Sequence, residues 1–160
     1  MNPELDPELD LGIDRVIRAP RKVVWDAWTD PDSLARWWIP APTVCRVDRL
    51  EVRPGGGFVT RMSDDGVAFA PHVDACFLVV EEFERLVFTN TVDSRWRPAN
   101  PEPVAMTAEV VFADHADGTD YRVVVRHGDP AARDLHAELG FADGWGGVTD
   151  QLARFVESAR

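Results

Sequence analysis

The chain has 160 residues, 45% of them hydrophobic and 28% charged, which suits a globular protein with one sizeable core. The net charge of −11 argues against nucleic acid and anionic membrane surfaces as partners, because both reward clustered lysine and arginine. No run is long enough to span a bilayer, and the N-terminus lacks the basic, apolar character of a secretory leader. We therefore expect no membrane insertion and a cytoplasmic location.

The N-terminal part predicts one strand followed by two short helices. Residues 1–8 are acidic and interrupted by proline, which indicates a loose tail. Apolar and polar residues alternate from Leu9 to Ile17, the pattern of a strand. A helix is expected over 21–29, and a second helix starts where Asp30 serves as N-cap and Pro31 takes the first helical position.

A run of strands follows, separated by turn-forming residues. Pro40 and Pro42 end the second short helix, and 95–103 contains three prolines and is expected to be a loop. The turn at 114–118 joins the last two strands as a hairpin. The predicted strands are 44–53, 57–63, 69–81, 86–92, 104–113 and 119–127.

A long helical region closes the chain. It begins at Asp129-Pro130, runs to about Ser158 and is interrupted at Gly140. Its apolar residues recur at helical spacing, which predicts one buried stripe. Glycine costs about 1 kcal/mol relative to alanine inside a helix, so Gly144 and Gly147 are expected to allow strands or short helices to approach closely. The predicted stripe consists of Phe141, Trp145, Val148, Leu152 and Phe155.

These elements predict a single α+β domain over residues 9–160. An antiparallel sheet needs a cover on one face, and only the last helix is long enough to provide it. We therefore expect a curved antiparallel sheet of about six to seven strands wrapped round the C-terminal helix, with two short helices after the first strand.

Short motifs occur in a consistent order along almost the whole chain beyond residue 9. In these motifs and their order, the chain resembles the START-like helix-grip (SRPBCC) superfamily. Within that superfamily it resembles the AHSA-type homologues of the heat-shock chaperone ATPase activator. The motifs are Ala19-Pro20 with Val24-Trp25, Ala27-Trp28-Thr29-Asp30-Pro31, Arg36-Trp37-Trp38, Arg53-Pro54-Gly55-Gly56, Glu84-Arg85-Leu86-Val87-Phe88-Thr89, Met106-Thr107, Gly118-Thr119, and Gly144-Trp145 with Gln151-Leu152.

One subgroup of that family is especially similar. It shares the loop Trp96-Arg97-Pro98, a histidine before the last helical region (His127) and a histidine (His136) ahead of Leu139-Gly140-Phe141. The chain departs from the subgroup at His72-Val73 with Ala75, and at Val79 where a glutamate is common. The resemblance implies the helix-grip fold, but this scaffold hosts carriers, receptors, cyclases and co-chaperone domains, so it does not imply one activity.

The strand alternation predicts that large apolar side chains surround one space between helix and sheet. A closed, empty space of about 300 Å³ would cost roughly 7 kcal/mol at about 24 cal/mol per Å³. That cost is comparable with the stability of a whole domain, so aromatics, water or a ligand must fill the space. The candidate ligand-binding residues are Trp28, Trp37, Phe58, Met62, Phe77, Phe88, Met106, Tyr121, His127, His136 and Trp145.

Four polar residues are expected at the rim of this space: His127, His136, Tyr121 and Arg15. Together they could anchor a polar group of the ligand or act as acid and base. Taken singly, each has a simpler interpretation: a histidine ending a strand, a local hydrogen bond on a helix, or an arginine paired with a carboxylate.

No metal site or cofactor is predicted. The four histidines lack the spacing of metal ligands, and Gly55-Gly56-Gly57 precedes a strand and is expected to form a turn. Cys45 and Cys76 are expected to be free buried thiols in a reducing compartment, with a disulfide between them as the alternative.

The leading hypothesis is therefore non-enzymatic binding of a small hydrophobic or aromatic molecule. No catalytic motif is recognisable, so cyclase- or hydrolase-like chemistry in the same cavity is the alternative. Regulation of a chaperone ATPase, which the family name suggests, ranks last. Exposed edge strands would permit a homodimer without requiring one.

Overall fold

The computed structural model describes residues 4–158, which form one seven-stranded sheet and four helices. The strands are β1 (Asp10–Ile17), β2 (Val44–Leu50), β3 (Gly57–Ser63), β4 (Ala70–Glu81), β5 (Arg85–Thr89), β6 (Thr107–His115) and β7 (Gly118–Arg126). The helices are α1 (Arg21–Thr29), α2 (Pro31–Leu34), α3 (Pro130–Glu138) and α4 (Phe141–Ser158).

All strand pairs of the sheet are antiparallel, in the order β1-β7-β6-β5-β4-β3-β2. The strands from β2 to β7 follow one another as a meander, and β1 joins at the far edge beside β7. The long helix α4 supplies the cover for one face of this sheet, and its buried side chains belong to the same core as those of the strands. The predicted α+β helix-grip architecture is confirmed.

Local signals set the two short helices where they were expected. Asp30 caps α2 by accepting a hydrogen bond from the backbone N–H of Ser33 at 2.9 Å, and Pro31 starts the helix. Leu34 and Trp37 are buried. The predicted tail lies partly outside the described residues; in the described part, the backbone N–H of Asp6 donates to the carboxylate of Asp10 at 2.8 Å and closes a turn.

The strand ends around the long loop differ from the prediction. Thr89 ends β5 and Thr107 begins β6, whereas strands were expected over 86–92 and 104–113. The side chain of Asn90 explains the difference, because its amide donates to the carbonyl of Val104 at 3.1 Å and accepts from the N–H of Met106 at 2.8 Å. One backbone bond remains, from the N–H of Asn90 to the carbonyl of Met106 at 3.2 Å, and the side chain of Asn90 takes the place of further backbone pairing, so the regular ladder stops there.

A cluster of aromatic rings fills most of the space between helix and sheet. Trp38 lies at its centre, with ring centroids 5.2 Å from Trp28, 5.4 Å from Phe58 and 5.6 Å from Trp145. The rings meet edge-to-face or tilted, the arrangements that aromatic quadrupoles favour. Trp38 therefore links the segment after α2 to β3 and α4.

The glycines of α4 do not allow close approach, and that prediction was wrong. A Cβ atom added at Gly144, Gly146 or Gly147 would meet nothing within 4 Å. The buried stripe also differs at its end, since Val156 is buried and Phe155 only half-buried. Gly140 does separate α3 from α4, as predicted, with a φ of 97° that suits glycine.

Candidate functional site

An apolar cavity of about 280 Å³ lies where α4 begins, against the start of β4 and the end of the loop before β6. We call it the α4 cavity. Its walls combine aromatic and aliphatic side chains with two histidines: Trp38, Pro40, His72, Val73, Pro103, Met106, His136, Leu139, Gly140, Phe141, Gly144, Trp145 and Val148.

A larger and more polar depression of about 500 Å³ adjoins the α4 cavity, and we call it the outer basin. The two share His72, Val73, Pro103, Met106, His136 and Trp145. The rest of the basin is lined by four apolar residues, Pro71, Ala99, Pro101 and Val104, and by five carboxylates and amides, Asp74, Asn90, Asp93, Asn100 and Glu102. The basin therefore places acidic and apolar residues together beside the α4 cavity.

Two histidines join at the edge of the cavity. The Nε2 of His127, at the end of β7, lies 2.8 Å from the Nδ1 of His136 on α3. The ring of His136 in turn meets the edge of Phe141, with centroids 5.1 Å apart. These two contacts hold α3 against the end of β7 and the start of α4, and α3 buries none of its own residues completely.

Hydrogen-bond chemistry fixes the proton positions in this pair. A carbonyl oxygen only accepts, so the Nδ1 of His127 carries the proton in its 2.8 Å contact with the carbonyl of Leu9. When His127 is neutral, its Nε2 is an acceptor and the Nδ1–H of His136 donates to it. The remaining nitrogen of a neutral His136, Nε2, then bears a lone pair and no proton.

The environment keeps His136 neutral at physiological pH. Burial of the ring, with the proximity of His127 as a second cause, lowers the pKa of His136 to about 4. No hydrogen bond within residues 4–158 occupies its Nε2. The Nδ1 of His72, which also lines the cavity, lies 2.9 Å from the hydroxyl of the buried Thr60, and partial desolvation lowers the pKa of His72 as well.

Only part of the predicted site lines the cavity. Met106, His136 and Trp145 line it, and His127 does not line it but forms a hydrogen bond with His136. Met62 lies near the end of β3, is 38% exposed and lines none of the depressions described here. Six predicted residues belong to the packed core instead: Trp28, Trp37, Phe58, Phe77, Phe88 and Tyr121.

The predicted polar set does not converge on one cavity. Tyr121 is fully buried, its hydroxyl accepts a hydrogen bond from the indole N–H of Trp28 at 3.0 Å, and burial raises its pKa. Arg15 forms an ion pair with Asp150 beside a separate polar groove that Gly146 and Gly147 border. Only His127 and His136 remain together, so the arrangement supports positioning of a ligand better than acid–base catalysis by all four residues.

Several lining residues were not among the predicted ligand-binding residues, and one of them, His72, owes its position to irregular backbone. Thr60 pairs with Val73 and Arg61 with Pro71, which leaves His72 as the extra residue of a bulge in β4. The bulge interrupts the alternation on which the strand reasoning relied. Gly144 was noticed, but its role was misread.

Residues 4–158 were searched for groups of metal ligands and for helices that could span a membrane. Within residues 4–158, no group of three or more His, Cys, Asp or Glu side chains could hold a metal ion. No helix among these residues is both long and apolar enough to cross a bilayer.

Known proteins share this fold over nearly the whole chain. A family model described as "Activator of Hsp90 ATPase homolog 1-like protein" matches residues 18–157. A crystal structure of a protein from Nitrosomonas europaea is 36% identical, with a TM-score of 0.85 over 97% of this chain and 98% of that chain. An AHSA1-like protein from Aeromonas hydrophila is 27% identical, with a TM-score of 0.67 over 94% of each chain. No curated protein matches.

Proposed function

The chain belongs to the family of activator of Hsp90 ATPase homolog 1-like proteins, and from that premise we propose that it binds a small hydrophobic molecule in the α4 cavity. The cavity is apolar on most sides and, at about 280 Å³, suits a small hydrophobic molecule with a few rings. This function requires no chemistry of the protein beyond shape, apolar contact and a few polar anchors.

One observation carries the proposal: the helix that covers the sheet has a glycine where it borders the cavity. Gly144 lies in the first turns of α4, where alanine would stabilise the helix by about 1 kcal/mol, and a Cβ there would meet nothing within 4 Å. Packing therefore does not demand glycine at this position. The missing side chain leaves room in the cavity, which supports a binding role.

A blocking substitution tests the proposal. Gly144→Leu places a branched side chain in the cavity while improving helix propensity, so the variant is expected to fold at least as stably as the parent. Binding of N-phenyl-1-naphthylamine, a neutral dye that fluoresces in apolar sites, is expected to weaken about tenfold or more in this variant.

Gly146→Leu is the matched control, because Gly146 borders the separate polar groove. It makes the same change on a different face of α4 and is expected to leave dye binding unchanged. Equal dye binding in both variants and the parent would contradict a ligand site in the α4 cavity.

A further inference from the structure

The lining of the two depressions contains no positively charged side chain. Neither the α4 cavity nor the outer basin has a lysine or arginine among its lining residues. Arg95 and Arg97 follow Asp93 in the sequence and interact electrostatically with its carboxylate, but they do not line either depression. A ligand carboxylate in this site would therefore lose its hydration without gaining a cationic partner, which is costly.

Negative charge and hydrogen-bond acceptors face the same space. Asp74, Asp93 and Glu102 line the basin, and backbone N–H groups hydrogen-bonded to Asp93 lower its pKa, which keeps that carboxyl ionised. His136 adds an unprotonated Nε2 when the histidine pair is neutral, as its contact with His127 requires. These groups complement a ligand that donates hydrogen bonds and carries positive charge.

The aromatic wall is compatible with such a ligand. Trp38, Phe141 and Trp145 line the cavity, and aromatic faces attract ammonium groups by about 0.5–2 kcal/mol. The indole N–H of Trp38 has no hydrogen-bond partner within residues 4–158, but it is buried and not accessible from the cavity. It therefore adds no exposed donor that would favour an anion.

One feature of the site favours anions. The N-terminus of α4 begins beside the cavity at Phe141, and a helix N-terminus stabilises an anion by about 0.3–1 kcal/mol. Asp143 in the first turn of α4 offsets that field, and α3 ends with the opposite polarity at the same corner. The carboxylates of Asp74, Asp93 and Glu102 at the basin oppose this contribution.

We propose that the natural ligand class of the α4 cavity is an apolar amine, whose ammonium group faces the outer basin near His136 and Glu102 and whose hydrophobic body occupies the cavity. This inference rests on the proposed function, since it requires that the cavity binds a ligand at all. It narrows that ligand to a hydrophobic cation and disfavours fatty acids and aromatic carboxylates.

Three probes with the same ten-carbon skeleton separate charge from shape: 4-phenylbutylamine, 4-phenylbutan-1-ol and 4-phenylbutyrate. Each competes with bound N-phenyl-1-naphthylamine at pH 8, above the ordinary range of imidazole titration. We expect the amine to bind about tenfold or more tightly than the carboxylate, with the alcohol between them.

A charge reversal at the basin tests the location. Glu102 is exposed and lines the basin, so Glu102→Lys is expected to weaken the amine about fivefold and strengthen the carboxylate by a similar factor. Glu82→Lys changes the net charge equally, but Glu82 lies just beyond the end of β4, about 30 Å from Val73 at about 3.3 Å per strand residue, and the substitution is expected to alter either affinity less than about twofold.

The outcomes separate the two proposals. Carboxylate binding as tight as amine binding would overturn the amine inference and leave ligand binding standing. Equal effects of the two lysine substitutions would show a response to net charge and would also overturn it. Failure of the dye and of all three probes to bind would contradict the proposed function itself.

Discussion

At the scale of single residues, His136 makes the folded state sensitive to acid. Its pKa is lowered from 6.5 to about 4 by burial and by the proximity of His127. Because the folded pKa is depressed, the contribution of the neutral ring to stability is complete above about pH 6.5 and is lost as the pH falls toward 4. We expect His136→Gln to reduce the pH dependence of the unfolding free energy in this window, measured by denaturant titration.

His115 provides the comparison for this experiment. It is exposed in the turn between β6 and β7, where its ring accepts a hydrogen bond from the N–H of Asp117. His115→Gln is expected to retain the parent's pH dependence. If His136→Gln and the parent lost stability in parallel between pH 7 and 4, burial of His136 would not be the source of the acid response.

Tyr121 was predicted to contact a ligand, yet its environment in the structure indicates a role in stability. Tyr121→Phe removes the acceptor for the buried indole N–H of Trp28. An orphaned buried donor costs about 1–3 kcal/mol, so the free energy of unfolding is expected to fall by that amount. Binding of N-phenyl-1-naphthylamine is expected to stay within about twofold of the parent value. Weaker dye binding without a loss of stability would contradict a structural role and would indicate that Tyr121 contacts the ligand.

At the scale of elements, α3 is the least firmly held helix. None of its residues is fully buried, and Leu135 and Leu139 near its end are exposed. Its attachment relies on the contact of His136 with His127 and on the edge of Phe141. Few buried apolar contacts mean a low free energy of local opening. We expect amide hydrogen exchange to be about a hundredfold faster in α3 than in the middle of α4.

Two substitutions on α3 test which contact holds it. His136→Ala is expected to accelerate exchange throughout α3 and leave α1 unaffected. Leu135→Ala removes a side chain that is 41% exposed, and we expect little change. Equal protection of α3 and α4 in the parent would contradict the weak attachment.

The sequence predicted elements well where the signal was local. The Asp30-Pro31 cap, the helix break at Gly140 and the hairpin between β6 and β7 each depend on residues close together in the chain. The site was less predictable, because the position of His72 depends on a bulge relative to β3. Gly144 shows the same limit of sequence-based prediction. The sequence shows that this position lacks a side chain, but it does not show that the position borders the α4 cavity.

At the scale of the whole molecule, the aromatic cluster makes the fold cooperative. Trp38 contacts Trp28 of α1, Phe58 of β3 and Trp145 of α4, so three parts of the chain share one packed centre. Because unfolding any one of them exposes the others, tryptophan fluorescence and far-ultraviolet circular dichroism are expected to report one coincident transition. A separate unfolding step of α4 would contradict this view.

Truncation of the central ring measures how far that coupling extends. Trp38→Ala is expected to lower the free energy of unfolding by about 3–5 kcal/mol, because Trp38 is 5% exposed and its loss leaves a void between sheet and helix. Trp96→Ala is the matched comparison, since Trp96 is 70% exposed and its loss is expected to cost about 1 kcal/mol or less.

Both spectroscopic probes should record the same loss of stability in Trp38→Ala, because the void lies where the core and the wall of the α4 cavity meet. A loss confined to the fluorescence signal, with the helical signal unchanged, would show that α4 is held to the sheet independently of this cluster.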